Sequence, residues 1–186
     1  MQNRSIFSSE HELFRENARR FFRAELEPNI EQWEKDGIVP KSFWRKAGEN
    51  GFLCCGVPEE YGGPGADFLY NMVLSEETGY AIGGASVGFS VSADIVAYYL
   101  MNAGTEDQKR QWLPKMVTGE AIASIGMTEP GAGSDLKAIR TSAVRDGDEY
   151  VINGQKTYIT NGQNSDFVLL ACVTDPGKGA RGISMI

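Results

Sequence analysis

Apolar residues recur at helical spacing through the first two thirds of the chain and then give way to alternation. Leu13, Phe14, Ala18, Phe21, Phe22 and Leu26 form one stripe, with Ser9-x-x-Glu12 as a capping box ahead of it and Pro28 as its stop. Pro40 opens a second helix with Phe43, Trp44 and Ala47 on one face, ended by Gly51. VPEEYGGPG (57–65) is turn material, and residues 68–79 predict a third helix. Residues 85–103 predict a fourth that is apolar nearly all round and therefore buried. Thr105-x-x-Gln108 is a further capping box; Pro114 is expected to bend or end the helix it opens, and Gly119 to close it.

From about residue 120 the pattern changes. TSAVRDGDEYVINGQKTYITNGQNSDFVLLACV alternates and is rich in β-branched and aromatic residues, which predicts antiparallel strands. Asp146-Gly147 and Asn153-Gly154 read as hairpin turns, because type I′ turns need positive φ at both central residues, and Asn161-Gly162 reads as a loop. The chain therefore divides into an all-α unit over 1–121 and β structure over 122–186. GARGISMI reads as a strand that needs a neighbour on each side, so the chain is expected to stop inside a larger sheet.

Composition narrows the class. A 41% hydrophobic fraction over 186 residues belongs to a packed globular protein of one or two domains. A net charge of −7 supplies no basic stripe for nucleic acid or an anionic membrane. Residues 1–50 hold nine Lys/Arg against nine Asp/Glu, whereas the remainder holds nine against sixteen, so salt-bridged helices are expected in the first part. Cys54, Cys55 and Cys172 form no C-x-x-C pair, which suits a reducing compartment; Cys54 and Cys55 read as small buried residues, and no metal site is expected. MQNRSIFSSEHELF lacks secretory or transit character, and Asp94 breaks the longest apolar run short of a membrane span. His11, after the helix cap, and Glu76-Glu77, on the third helix, are expected at the surface.

Two segments concentrate the candidate chemistry. GMTEPGAGSDLKA (126–138) sets Thr128, Glu129, Ser134 and Asp135 around Pro130-Gly131-Ala132-Gly133, directly after the apolar IASI. Its glycines let the backbone approach a ligand and its hydroxyls donate to one, which suits an anionic or carbonyl-rich group. A purely structural strand-to-loop turn fits the same residues equally, and the segment is neither G-x-G-x-x-G nor a P-loop. NGQKTYITNG (153–162) reads as a strand between two turns with Tyr158 and Thr160 on one face, where the ring could stack on a flat ligand beside a hydroxyl. An ordinary half-buried β face explains that alternation as well.

Together, and in this order, the two segments resemble the acyl-CoA dehydrogenase family. The likeness runs the length of the chain, through IFSSEHELFRENARRFFRAELEP, VPEEYGGPGAD and GTEDQKRQWLPKMVTGE, and points to the long-chain members. It implies an all-α N-terminal domain, an antiparallel β-barrel middle domain that is incomplete here, and a C-terminal four-helix domain absent from this chain. It also implies FAD held by Ile125, Gly126, Met127, Thr128, Gly133, Ser134, Tyr158, Ile159 and Thr160. In that family pattern Ile125, Met127 and Thr128 contact the pyrimidine edge of the flavin, and Ser134 also contacts the CoA portion of the substrate. Tyr158, at a position often Trp, packs on the ring system, and the Thr160 hydroxyl lies near flavin N5. The acyl tail is implied between helices matching 68–103, with Val87, Gly88 and Val91 at pocket-closing positions; core positions of a buried helix are the other reading of those three.

The resemblance implies α,β-dehydrogenation of an acyl-CoA thioester to trans-2-enoyl-CoA in fatty-acid β-oxidation, with electrons passed to electron-transfer flavoprotein and a homotetramer as the complete assembly. The family's glutamate base belongs to the C-terminal domain, so no catalytic residue is assigned here, and Glu129 is not used as the base. The 186 residues alone are accordingly expected to be inactive, to hold FAD weakly and to self-associate. An acyl-CoA oxidase or flavin monooxygenase of the same fold, or a non-catalytic binding module, are the alternatives. A bacterial cytoplasmic location is expected, or the mitochondrial matrix for a processed chain.

Overall fold

The structure, a computed structural model, describes residues 6–83 and 87–186. Helix α1 (Ser9–Phe21) continues through a π-turn (Phe22–Leu26). Its cap is Ser8 rather than Ser9. The Ser8 hydroxyl accepts from the His11 N–H (3.4 Å), and His11 Nδ1 accepts from the Ser8 N–H (3.0 Å), so the imidazole takes the place expected of Glu12. Ala18, Phe21, Phe22 and Leu26 are buried as the stripe predicts. Leu13 is exposed, because it lies off the face that carries His11, Arg15, Ala18 and Phe22.

Helix α2 (Ile30–Asp36) was not expected, and Ile30 with Trp33 attaches it to the core. Helix α3 (Lys41–Glu49) follows Pro40 and buries Phe43, Trp44 and Ala47, as predicted. Helix α4 (Phe68–Tyr80) is capped by Asp67, whose carboxylate accepts from the Leu69 N–H at 2.8 Å. The fourth predicted helix runs from Phe89 through a π segment (Val91–Val96) into α5 (Ala97–Ala103); the expectation for residues 85 and 86 lies outside the described residues. Ile95 and Tyr99 are exposed, so this helix is buried on most of its surface but not all round. Helix α6 (Glu106–Val117) has the Thr105–Gln108 capping box and runs through Pro114 without ending there, since proline keeps a helical φ and forfeits only local hydrogen bonding.

Aromatic rings join these helices. Phe89 stacks on Phe43 at 5.4 Å and meets Trp44 edge-on at 4.9 Å. Buried charge joins α1 to α4: Glu77 accepts from Arg19 (2.8 Å) and Arg15 (3.3 Å), and Arg15 also binds Glu76 (2.7 Å). This corrects two surface expectations. Glu77 is 2% exposed, and His11 is buried with its ring 4.5 Å from that of Tyr70. The thiols of Cys54, Cys55 and Cys172 are free and buried, as expected for Cys54 and Cys55; burial pushes the Cys54 thiol well up and that of Cys55 to about 12.

The strands are β1 (Ala123–Gly126), β2 (Ser142–Asp146), β3 (Glu149–Asn153), β4 (Phe167–Val173) and β5 (Ile183–Met185). Helices followed by sheet is the predicted order, and the β2–β3 and β4–β5 pairings are antiparallel. Strand β1 instead runs parallel to β4 (Ala123↔Phe167), because it enters the sheet straight from the helical core and not from a hairpin. The Ala123 N–H donates to Ser92 Oγ (3.0 Å), which fixes β1 against the segment that leads into α5.

Two turn expectations are corrected. The β2–β3 register pairs Asp146 with Glu149, so Gly147 and Asp148 are the central residues, and only Gly147 has positive φ (61°), as a II′ turn requires. Asn153-Gly154 makes no hairpin. A Cβ at Gly154 would lie 2.3 Å from Thr141 Oγ1, so this glycine serves a close approach to the start of β2. Residues 154–166 form no strand, and positive φ at Tyr158 (55°) and Asn161 (64°) breaks the extended face on which Tyr158 and Thr160 were expected to stand.

Candidate functional site

The two motif segments lie side by side. The first leaves β1 and doubles back in a tight turn, with the Glu129 and Ala132 backbones exchanging hydrogen bonds (2.9 and 3.1 Å). The Glu129 carboxylate, 8% exposed, then accepts from the backbone N–H groups of Arg140 (2.7 Å) and Thr141 (2.9 Å) and from Lys156 Nζ (2.9 Å). Lys156 Nζ also donates to the Met127 carbonyl (3.0 Å), and the Thr157 N–H donates to the Thr128 carbonyl (3.0 Å). A buried ion pair and two main-chain contacts thus hold the glycine-rich loop against residues 156–157.

Burial raises the pKa of Glu129, while hydrogen bonds from Thr141, Lys156 and the Arg140 backbone lower it by more, and the net value is about 2. At neutral pH this group is a fixed anion. Its role is to position the loop, and it is unsuited to taking up a proton. Lys156 was missed by the sequence reading; a lone lysine between Gln155 and Thr157 was the available signal, but its partner lies 27 residues earlier.

The expected flavin-contacting residues fall in three settings. Ile125, Met127, Thr128 and Ile159 are half-buried and Gly126 is buried, whereas Gly133, Ser134 and Thr160 are exposed at the surface. Tyr158 is 93% exposed, with its bulky ring on a left-handed backbone. Gly88 is brought to the same region: Asn161 Nδ2 donates to its carbonyl (3.1 Å), and a Cβ there would lie 2.7 Å from Thr160 Cγ2. Val91 is half-buried, and Val87, at 1% exposure, belongs to the hydrophobic core.

Behind Gly88 a cavity of about 310 Å³ opens between α4 and the segment that leads into α5, bounded by Phe52, Leu74, Phe89, Ala93 and Asp94. Its walls are mainly apolar, with the hydroxyl residues Ser75, Thr78 and Ser90 and the carboxyl group of Asp94 among them.

Comparison with known proteins agrees with this arrangement along the whole chain. Residues 8–120 match the acyl-CoA dehydrogenase N-terminal domain, and residues 124–186 match the acyl-CoA dehydrogenase middle domain. The chain belongs to the acyl-CoA dehydrogenase family. It is 46% identical over 184 residues to the long-chain specific acyl-CoA dehydrogenase of rat mitochondria, covering 98% of this chain and 43% of that protein. The crystal structure of an acyl-CoA dehydrogenase from Geobacillus kaustophilus superposes with a TM-score of 0.94 at 51% identity, covering 99% of this chain and 49% of the other. A glutaryl-CoA dehydrogenase from Mycobacterium smegmatis, in complex with FADH2, superposes with a TM-score of 0.84 at 29% identity, covering 91% of this chain and 44% of the other. The chain therefore spans somewhat less than half the length of these acyl-CoA dehydrogenase relatives.

The residues present fit the flavin of such a family. Among the described residues the side-chain hydroxyls of Thr128, Ser134 and Thr160 have no hydrogen-bond partner, so they are available to an acceptor-rich ligand. The exposed Tyr158 ring adds an uncovered aromatic surface on strained backbone, a combination that clusters at ligand sites.

Proposed function

We propose that this chain contributes the helical and middle-domain walls of an FAD-dependent acyl-CoA dehydrogenase acting on medium-to-long acyl chains. The observation that carries this reading is the Glu129–Lys156 clamp, which sets Thr128, Tyr158 and Thr160 on adjoining segments beside Gly88 and the apolar cavity behind it. FAD, when bound, supplies the acceptor for the β-hydride. The hydroxyls of Thr128 and Thr160 donate to its polar edge, the Tyr158 ring covers a flat face, and the cavity takes the acyl tail out of water.

The α-proton has to go to a carboxylate. The family resemblance puts that carboxylate in the part of the relatives that this chain does not cover, and here Glu129 is committed to Lys156 and two N–H groups and Glu77 to two arginines. Electron-transfer flavoprotein is the proposed electron acceptor, and a homotetramer the proposed assembly.

The test is anaerobic mixing of the FAD-loaded full-length protein, including the part of the relatives that this chain does not cover, with saturated acyl-CoA thioesters of increasing length. Loss of flavin absorbance with formation of 2-enoyl-CoA, and reoxidation by electron-transfer flavoprotein, is the expected result. Rapid hydrogen peroxide formation in air without a carrier would instead identify an oxidase.

A second expectation concerns Tyr158. Tyr158→Gly removes a left-handed tyrosine, so it is expected to leave fold stability equal or raise it by up to about 1 kcal/mol. It also removes the stacking surface, and FAD affinity is expected to fall about 3- to 10-fold. Thermal unfolding and a fluorescence titration with FAD measure the two effects separately.

A further inference from the structure

The lining of the cavity behind Gly88 includes one carboxyl group, Asp94, that the dehydrogenation reaction does not use. Asp94 is the only charged residue among those that bound the cavity. Its Oδ1 accepts from Asn71 Nδ2 at 2.5 Å. Asn71 is 1% exposed, and its own Oδ1 has no hydrogen-bond partner among the described residues. Among the described residues no cation is bonded to Asp94, and burial raises its pKa to about 6 against the opposing hydrogen bond from Asn71.

A half-buried carboxyl held by a buried amide whose own oxygen is unpaired among the described residues is an expensive arrangement beside a plain hydrocarbon slot. An alkyl tail that reached Asp94 would strip water from it and offer nothing in return. A tail carrying a hydroxyl at that depth would donate to the carboxylate, or accept from the protonated acid. Gly88 and Asp94 both line the cavity and are six residues apart on one largely helical stretch, about 9 Å at the helical rise, which sets Asp94 apart from the Gly88–Thr160 contact.

We propose that Asp94, oriented by Asn71, is a specificity-determining residue that favours acyl tails bearing a hydrogen-bonding group at its depth and penalises unsubstituted alkyl tails long enough to reach it. This rests on the reading of the cavity as the acyl-tail site.

The test compares kcat/KM of the FAD-loaded full-length protein, which includes the part of the relatives that this chain does not cover, and its Asp94→Leu and Asp94→Asn variants on straight-chain acyl-CoA thioesters of increasing length and their ω-hydroxy counterparts. In the native protein the ω-hydroxy substrate is expected to be preferred only at the lengths that reach Asp94. Asp94→Leu is expected to raise the ratio of alkyl to ω-hydroxy kcat/KM at those lengths by about 10-fold or more, the scale on which buried polar groups discriminate. Asp94→Asn, which keeps hydrogen bonding and nearly the same shape, is expected to retain the ω-hydroxy preference and guards against a folding defect in the leucine variant. Identical length and hydroxyl profiles in native and Asp94→Leu proteins would overturn the proposal while leaving acyl-CoA dehydrogenation standing. Failure of the native protein to turn over any acyl-CoA would remove both.

Discussion

Glu77→Ala is expected to lower the free energy of unfolding by about 3–5 kcal/mol, the cost of breaking a buried ion pair from one side. The side chain is 1% exposed and holds Arg15, itself only 11% exposed, together with Arg19. Most of the loss comes from the side chain of Arg15, which keeps Glu12 and Glu76 but loses its hydrogen bond to Glu77, and from the buried space that the carboxylate leaves. Arg19, 37% exposed, is rehydrated at little cost. Because Arg15 and Arg19 lie on α1 and Glu77 on α4, the variant loosens the packing of the helix that lines one side of the cavity behind Gly88. Denaturant unfolding measures it, with Arg23→Ala on the same helix segment as a surface comparison expected to change stability by less than about 0.5 kcal/mol. A loss below about 1 kcal/mol for Glu77→Ala would mean that the network is solvated and unimportant.

Glu129→Ala is expected to cost a similar amount, about 3–5 kcal/mol, and also to release the glycine-rich loop. Lys156, 10% exposed, would keep only the Met127 carbonyl, and the N–H groups of Arg140 and Thr141 would lose their acceptor. The same clamp predicts an acid dependence of known sign. A carboxyl held near 2 in the folded state and at its ordinary 4.5 when unfolded stabilises the fold fully above pH 4.5. That contribution, about 3 kcal/mol, is lost as the pH falls from 4.5 toward 2. Stability curves for native protein and Glu129→Gln should therefore converge across this window. Removing both partners, as Glu129→Gln with Lys156→Met, is expected to recover part of the loss, because the uncompensated ammonium is gone.

The long amphipathic helices were legible because their periodicity is local. Phe43, Trp44 and Ala47 in α3, and the Thr105–Gln108 box ahead of α6, stand where the pattern puts them. Helix α2 was not legible, since seven residues offer only Ile30 and Trp33 as an apolar signal. The buried charges were misread for a different reason. Arg19 and Glu77 meet across 58 residues, and nothing in the neighbourhood of Glu76-Glu77 announces a partner so far away. Asn-Gly at 153–154 gave a turn signal, yet that glycine is used for close approach to Thr141.

Of the candidate site, the loop and the Tyr158–Thr160 stretch were recognisable as motifs, whereas the clamp that joins them was not. Lys156 is unremarkable until Glu129 is seen beneath it. Asp94 was noticed only as the break in an apolar run, and that interruption was itself the trace of the carboxyl group in the cavity lining.

The surface formed by residues 125–128 and 156–161 is most directly tested by titrating FAD into the native protein and the Tyr158→Gly variant while following flavin fluorescence. Saturable binding with quenching in the native protein, and weaker binding with less quenching in the variant, is the expected result. Absence of FAD uptake by the folded native protein, or equal affinity and equal quenching in both proteins, would contradict it.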